Sequence, residues 1–220
     1  FRPAIPAILV YLILLAVVWL GYFTPREEFL KVVLIYGMGF SAYFYLIWKQ
    51  NYKSLNMFIL IGLLLRISLF AAEPAMSDDH HRFVWDGVLV SNGLNPYSEL
   101  PAEIDLSTAP NGLSPELLED LNSPDFHSVY PPFLQYIFGF SAWIAGGDVH
   151  TAVLIMRIFI LIAELISIVL IFRLLNAWGL PLERTAIYAF NPLVIIELTG
   201  NLHSEAYMIC FTLLAVWLLS

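Results

Sequence analysis

Residues 151–172 read TAVLIMRIFILIAELISIVLIF, a run of 22 residues whose only charged members are Arg157 and Glu164. A helix of that length rises about 33 Å, enough to cross a hydrocarbon core of about 30 Å. On either side of it, further apolar runs occupy about 4–23, 32–48, 54–72, 185–199 and 204–219, so six spans are expected, with a shorter seventh run at 131–146. Lipid offers the backbone no hydrogen-bond partners, so each run has to be helical, and nothing in the chain alternates as a membrane β-strand would. Composition points the same way: 60% of residues are hydrophobic, 13% are charged and the mean hydropathy is +0.77. The expected fold class is an all-α polytopic membrane protein.

The sequence begins at Phe1 and stops at Ser220 inside an apolar run, so 1–220 reads as one transmembrane module within a longer chain. The first run is long enough to stay as a span rather than act as a cleavable signal peptide. Cys210 is the single cysteine, which excludes an intrachain disulfide.

The net charge of −8 is concentrated in one place. Residues 72–130 carry eleven acidic side chains against Arg82 alone, while the rest of the chain has nine basic against seven acidic. Positive charge marks the cytoplasmic side, and Lys49 with Lys53 flanks the third run at the end opposite the acidic stretch, as Arg2 does two runs earlier. The loop at 73–130 is therefore expected outside the cytoplasm. Arg173 and Arg184, around Trp178-Gly179-Leu180-Pro181, read as the next cytoplasmic turn, which requires an odd number of crossings after the loop. Sixteen helical residues reach only about 24 Å, so 131–146 is read as a re-entrant or interfacial helix. On that count residues 200–205 also emerge outside.

A loop this long is usually functional or disordered. Its middle, 100–125, holds Pro101, Pro110, Pro115 and Pro124 and shows little periodicity beyond a short helix expected at 115–121. The expectation is that only the two ends of the loop are built into a site.

The first end carries Ser77-Asp78-Asp79-His80-His81-Arg82-Phe83-Val84-Trp85-Asp86-Gly87. A serine followed by two acids is a good helix start, the hydroxyl capping free amides and the acids meeting the positive end of the dipole. Helical spacing also puts Asp78, Arg82 and Asp86 at i, i+4 and i+8, a charged stripe beside Trp85. Capping with surface ion pairs and a catalytic role explain this pattern about equally. Carboxylates and imidazoles are metal-ligand types as well, but four adjacent residues cannot all turn toward one ion.

A second polar group, Asn191-Pro192-Leu193, Glu197, Asn201, His203 and Glu205, crowds the ends of two short runs. Ionisable groups in or at the lipid usually face a cavity or each other, so this group is either a site or a hydrogen-bonded helix pair kinked at Pro192. Arg66, Arg157 and Glu164 lie inside runs, where pairing of an arginine with Glu164 is preferred over a headgroup site.

Together, the Ser-Asp-Asp-x-x-Arg-Phe-x-Trp-Asp-Gly pattern, Gly93-Leu94-Asn95-Pro96-Tyr97, Tyr130-Pro131-Pro132-Phe133 with Gln135, Asn-Pro-Leu and His-Ser-Glu resemble the C-fold (GT-C) membrane glycosyltransferases that use lipid-linked sugars. The pattern is most similar to polyprenol-phosphate-mannose-dependent mannosyltransferases, with a fainter likeness to the first mannosyltransferase of glycolipid anchor synthesis. It covers roughly residues 60–210. One departure is that two runs precede the helix leading into the acidic loop, where the family's common core has none. The resemblance implies an outward loop with paired acids and amphipathic helices on the membrane. It also implies a polyprenyl-phosphate sugar as donor, a lipid or glycan acceptor, contact with membrane lipids, no nucleic-acid partner and a bacterial cytoplasmic membrane.

By that resemblance Asp78 is the general base, and Asp79 orients the acceptor or tunes its neighbour, as close carboxylates do. A single base and one attack on the anomeric carbon imply inversion. Arg82 or His203 would meet the leaving phosphate. Trp85, Tyr97 and Tyr130 would form a stacking floor for a sugar, and Asp86, Asn95, Gln135, Asn191, Glu197 and Glu205 complete the expected binding set. Asn95-Pro96-Tyr97 is also expected to fix a turn after the loop helix, with Pro96 ending that helix. A monophosphate leaves without a metal bridge, so no cofactor is expected. A divalent cation near the acids and His203 is the less favoured choice. Two competing readings are a transporter or flippase whose path is lined by Arg66, Arg157 and Glu164, although no internal repeat supports it, and a non-catalytic scaffold subunit.

Overall fold

The computed structural model describes residues 4–49 and 54–220, and within them every regular element is helical. Arg2 and Lys53, which enter the charge argument for topology, lie outside the described residues. Among the described residues, three helices have the length and apolarity to cross a membrane: α1 (Ala4–Tyr22), α2 (Phe29–Lys49) and α7 (Val149–Ala177).

Six crossings were expected, and the difference has local causes. Helix α3 (Leu55–Ser68) has 14 residues, a rise of about 21 Å, before the chain turns at 69–72. The run at 185–199 is cut into α8 (Thr185–Ala189), α9 (Pro192–Val194) and a π-helical turn (Ile195–Gly200), because Pro192 cannot continue a helix through Asn191. That segment meets α10 (Glu205–Leu219) at a bend of 115°, and the pair makes a fourth crossing only if taken as one broken span. The expected turn at 173–184 is present: Gly179 adopts φ 65° and the Leu180 amide donates to Leu175 O at 2.8 Å, closing the end of α7. Beside it, the Arg173 guanidinium lies 5.5 Å from the centre of the Trp217 ring.

The contacts divide the chain into two compact units, one of Phe1–Met76 with Ile160–Ser220 and one of Ser77–Phe159. The core of the first unit gathers Ile13, Val17 and Leu20 of α1, Tyr43 and Leu46 of α2, Phe58 and Leu65 of α3, and Phe190, Ile195 and Ile196 from the broken segment. Arg66 and Glu164 are buried in this unit and paired at 2.8 Å, as the sequence reading preferred.

In the second unit α4 (Asp79–Ser91) packs on α6 (Pro132–Ala145), with α5 (Pro115–Glu119) closing over α4. Helix α6 matches the helix expected at 131–146, and α5 begins where Ser114 accepts from the Leu117 amide at 3.2 Å. Helix α4 stops five residues before Pro96, which corrects the expected stop. Gly93 takes φ 75°, and the Leu94 amide reaches back to Leu89 O at 2.9 Å, so glycine geometry ends the helix.

The α4–α6 contact depends on a missing side chain. A Cβ added at Gly87 would sit 2.5 Å from Phe138 O and 3.1 Å from Ala142 Cβ. Backbone cannot move aside as a flexible side chain can, so Gly87→Ala should lower the stability of this unit by about 1–3 kcal/mol. Thermal unfolding of the detergent-solubilised protein checks this, with Gly93→Asn, at an open position that tolerates φ > 0, as the control.

Candidate active site

Asp78 is the residue before α4 and Asp79 its first, and the Asp79 amide donates to Ser77 Oγ at 3.4 Å. The Ser77 hydroxyl thus meets one free amide of the first turn, while the N-cap position falls to Asp78, whose side chain makes no capping bond. Asp79 Oδ1 accepts from Nδ2 of Asn122 at 2.7 Å, a partner absent from the charged stripe read in the sequence.

One turn further, Arg82 and Asp86 form the expected i, i+4 pair, with Nε 2.8 Å from Oδ1. Asp86 is wholly buried, and a carboxylate taken out of water is tolerated only when its lone pairs are filled. Gln135 donates to Oδ2 at 2.9 Å, the Ser128 hydroxyl donates to the same oxygen, and Gln135 Nε2 also reaches Ser128 Oγ at 2.8 Å. Arg82 Nη1 donates to Ser123 O at 3.1 Å and Phe126 O at 2.9 Å. Its Nη2 is buried with no hydrogen-bond partner among the described residues.

Asp79 and Arg82 line a cavity of about 440 Å³ together with Asn122, His127, Ser128 and Tyr130. The Tyr130 ring is braced edge-on by Phe83 at 4.9 Å and Phe138 at 5.6 Å. Asn95 Oδ1 accepts from the Tyr97 amide at 3.0 Å, fixing the expected turn, and the Tyr97 hydroxyl donates to Tyr130 O at 2.6 Å. Loss of water, and then the Asp86 carboxylate, push the Tyr97 phenol up, while Gln135 pulls it the other way. It stays a neutral donor at physiological pH.

One arrangement in the second unit thus brings together Asp79, Arg82, Asp86, Tyr97, Tyr130 and Gln135. Trp85 differs from expectation. It is wholly buried, with no partner for its indole N–H among the described residues, so it shows no face to a sugar in this arrangement.

The loop middle also departs from expectation. Asn122 and Ser123, inside the stretch read as outside the site, line the cavity. Leu113, Leu117 and Leu121 are buried and hold that stretch down. Asn122, Ser123 and Ser128 carried no sequence signal, being polar residues in a segment without period. The buried leucines at 113, 117 and 121 were the available hint.

The polar group at 191–205 assembles within the first unit. Glu197 Oε1 accepts from the Tyr36 hydroxyl at 2.6 Å, and Oε2 accepts from Asn201 Nδ2 at 3.1 Å and lies 3.5 Å from His203 Nδ1. Asn191 acts locally, its Oδ1 accepting from the Leu193 amide at 3.0 Å to start α9. Glu205 is exposed in the first turn of α10. Between Asn201 and His203 the buried Leu202 adopts φ 58°, which is strained for a residue with a bulky side chain, two residues past the end of the π-helical turn.

Among the described residues, no group of three or more His, Cys, Asp or Glu side chains converges as a metal site. His80 Nδ1 lies 3.1 Å from Ser77 O and His81 Nε2 lies 3.8 Å from Asp120, so the adjacent imidazoles engage different partners.

A family model described as the N-terminal domain of alpha-(1->6)-mannopyranosyltransferase matches residues 8–220. Over 144 residues the chain is 26% identical to alpha-(1->6)-mannopyranosyltransferase A of Corynebacterium glutamicum, a match covering 65% of this chain and 28% of that protein's length. The chain therefore spans under a third of this relative. No solved structure matches it significantly.

Proposed function

This chain belongs to the alpha-(1->6)-mannopyranosyltransferase N-terminal domain family, and we propose that it is part of a membrane enzyme that moves mannose from a polyprenyl-phosphate carrier to a hydroxyl of a lipid or glycan acceptor. The linkage formed is α-(1→6), as the names of the family and its relative have it. The observation that carries this reading is the cavity in the second unit, where the carboxylate of Asp79 and the cation of Arg82 share one wall.

In the proposed step, the acceptor hydroxyl oxygen attacks the anomeric carbon while a carboxylate of the Asp78–Asp79 pair takes its proton. The bond from that carbon to the phosphate oxygen breaks, and the phosphate leaves with the electron pair. The family pattern assigns the base to Asp78, and the hydrogen bond from Asn122 suits Asp79 to orienting the acceptor. Arg82, with Nη2 uncommitted, is suited to the charge developing on the phosphate. Such chemistry would take place on the outer face of a bacterial cytoplasmic membrane, with the acidic loop outside and α6 re-entrant or interfacial.

A direct test supplies membranes carrying the full-length protein with polyprenyl-phosphate mannose and follows the anomeric proton of the product by NMR. The expected result is a mannosyl product whose anomeric configuration is opposite to the donor's. Retention of configuration would overturn the single-base mechanism, and no product with this donor would overturn the assignment of the carrier.

A further inference from the structure

We propose that Asn122 is a positioning residue for Asp79, held in place by the Arg82 network; the inference rests on the reading given under Proposed function. Asn122 is exposed, so water could satisfy its amide, yet Nδ2 sits 2.7 Å from Asp79 Oδ1. What fixes it there lies on both sides of it. Leu121 is buried on one side, and on the other Ser123 O and Phe126 O accept from Arg82 Nη1. Two residues beyond Phe126, Ser128 is tied to Asp86 and Gln135. Residues 121–128 thus form a strap fastened to α4 and α6, and Asn122 is the point where the strap meets Asp79.

The consequence is geometric. A carboxylate with one oxygen committed to a fixed donor cannot rotate freely about its last bond, and it presents its other oxygen in one direction. In the cavity this leaves Asp79 Oδ2 as the oxygen offered to an acceptor hydroxyl. It also gives Asp86, Ser128 and Gln135 a purpose, since their hydrogen bonds fasten the strap to α4 and α6. Orientation of this kind acts on the reacting geometry more than on affinity.

The test uses the full-length protein in membranes and compares Asn122→Ala, Asn122→Asp, Asp79→Ala and the double variant Asn122→Ala/Asp79→Ala. Because Asn122 is exposed, its truncation should leave thermal unfolding unchanged. The expected result is a kcat for mannosyl transfer lowered by about 10-fold in Asn122→Ala with little change in KM for the donor. Asn122→Asp keeps the shape but not the donor, so it should lose at least as much. In the Asp79→Ala background, where the acceptor of this hydrogen bond is gone, Asn122→Ala should add nothing, as expected of two residues acting through one interaction. Unchanged kcat in Asn122→Ala, or losses that simply add, would overturn the inference while leaving the proposed function standing. A wild-type protein that transfers no sugar would overturn both.

Discussion

Glu164→Leu should leave little folded protein in the membrane. Arg66 and Glu164 are both fully buried, and every nitrogen of the guanidinium is committed: Nε and Nη2 to Glu164 at 3.1 and 2.8 Å, and Nη1 to Gly62 O and Ala189 O at 3.0 and 2.7 Å. The Thr199 hydroxyl donates to Glu164 Oε2. Removing the carboxylate strands a cation with only two carbonyls for company, and breaking a buried pair in this way costs about 3–5 kcal/mol. Against a typical total of about 5–15 kcal/mol, that is a large part of the stability of the first unit. Arg66→Leu/Glu164→Leu, which leaves no charge behind, should recover most of the loss. Thermal unfolding of the purified full-length protein checks both. An unfolding temperature near wild type for the single variant would mean the pair is not what holds α3 to α7. Arg66 and Glu164 are closed on each other, the pairing preferred over a headgroup site for these two residues.

The other large effect concerns activity rather than stability. Asp78→Asn should abolish transfer, because an amide of the same shape cannot accept the hydroxyl proton. A positioned base contributes about 10²–10⁴-fold in rate, so the residual should be at or below the detection limit of a membrane assay. Asp79→Asn should be impaired less, since the amide oxygen left at this position would still accept from Asn122 and stay held in place. Neither residue is fully buried, so both variants should accumulate normally. Asp86→Asn would look similar in an activity assay but for a different reason. Asp86 is wholly buried among Arg82, Ser128 and Gln135, and its loss should also lower the unfolding temperature, which separates a network residue from a base.

The fold class and the chemistry-bearing end of the loop were legible because each leaves a local signal. Apolar length marks α1, α2 and α7, and helical spacing marks the pairing of Arg82 with Asp86. What was not legible depends on partners distant in sequence. Nothing local says that Asp86 is wholly buried, because the groups that satisfy it, Ser128 and Gln135, lie more than forty residues away in number. Nor does the run at 185–199 announce its break. Pro192 marks a kink, but nothing local marks the π-helical turn, which packs on α1 and α3, or the strained Leu202 after it. Composition likewise hides the strap at 121–128, whose Pro124 and polar residues show no period. The same few buried leucines that anchor it would be unremarkable in any loop.

A carboxylate base at the start of α4 is tested most directly by transfer of radiolabelled mannose from polyprenyl-phosphate mannose to endogenous lipid or glycan acceptors, in membranes carrying wild-type, Asp78→Asn or Asp79→Asn protein at matched levels. Labelled product is expected from wild type, none above background from Asp78→Asn and a reduced amount from Asp79→Asn. Full activity in both variants would contradict a base at this position and send the search for the catalytic group elsewhere in the protein.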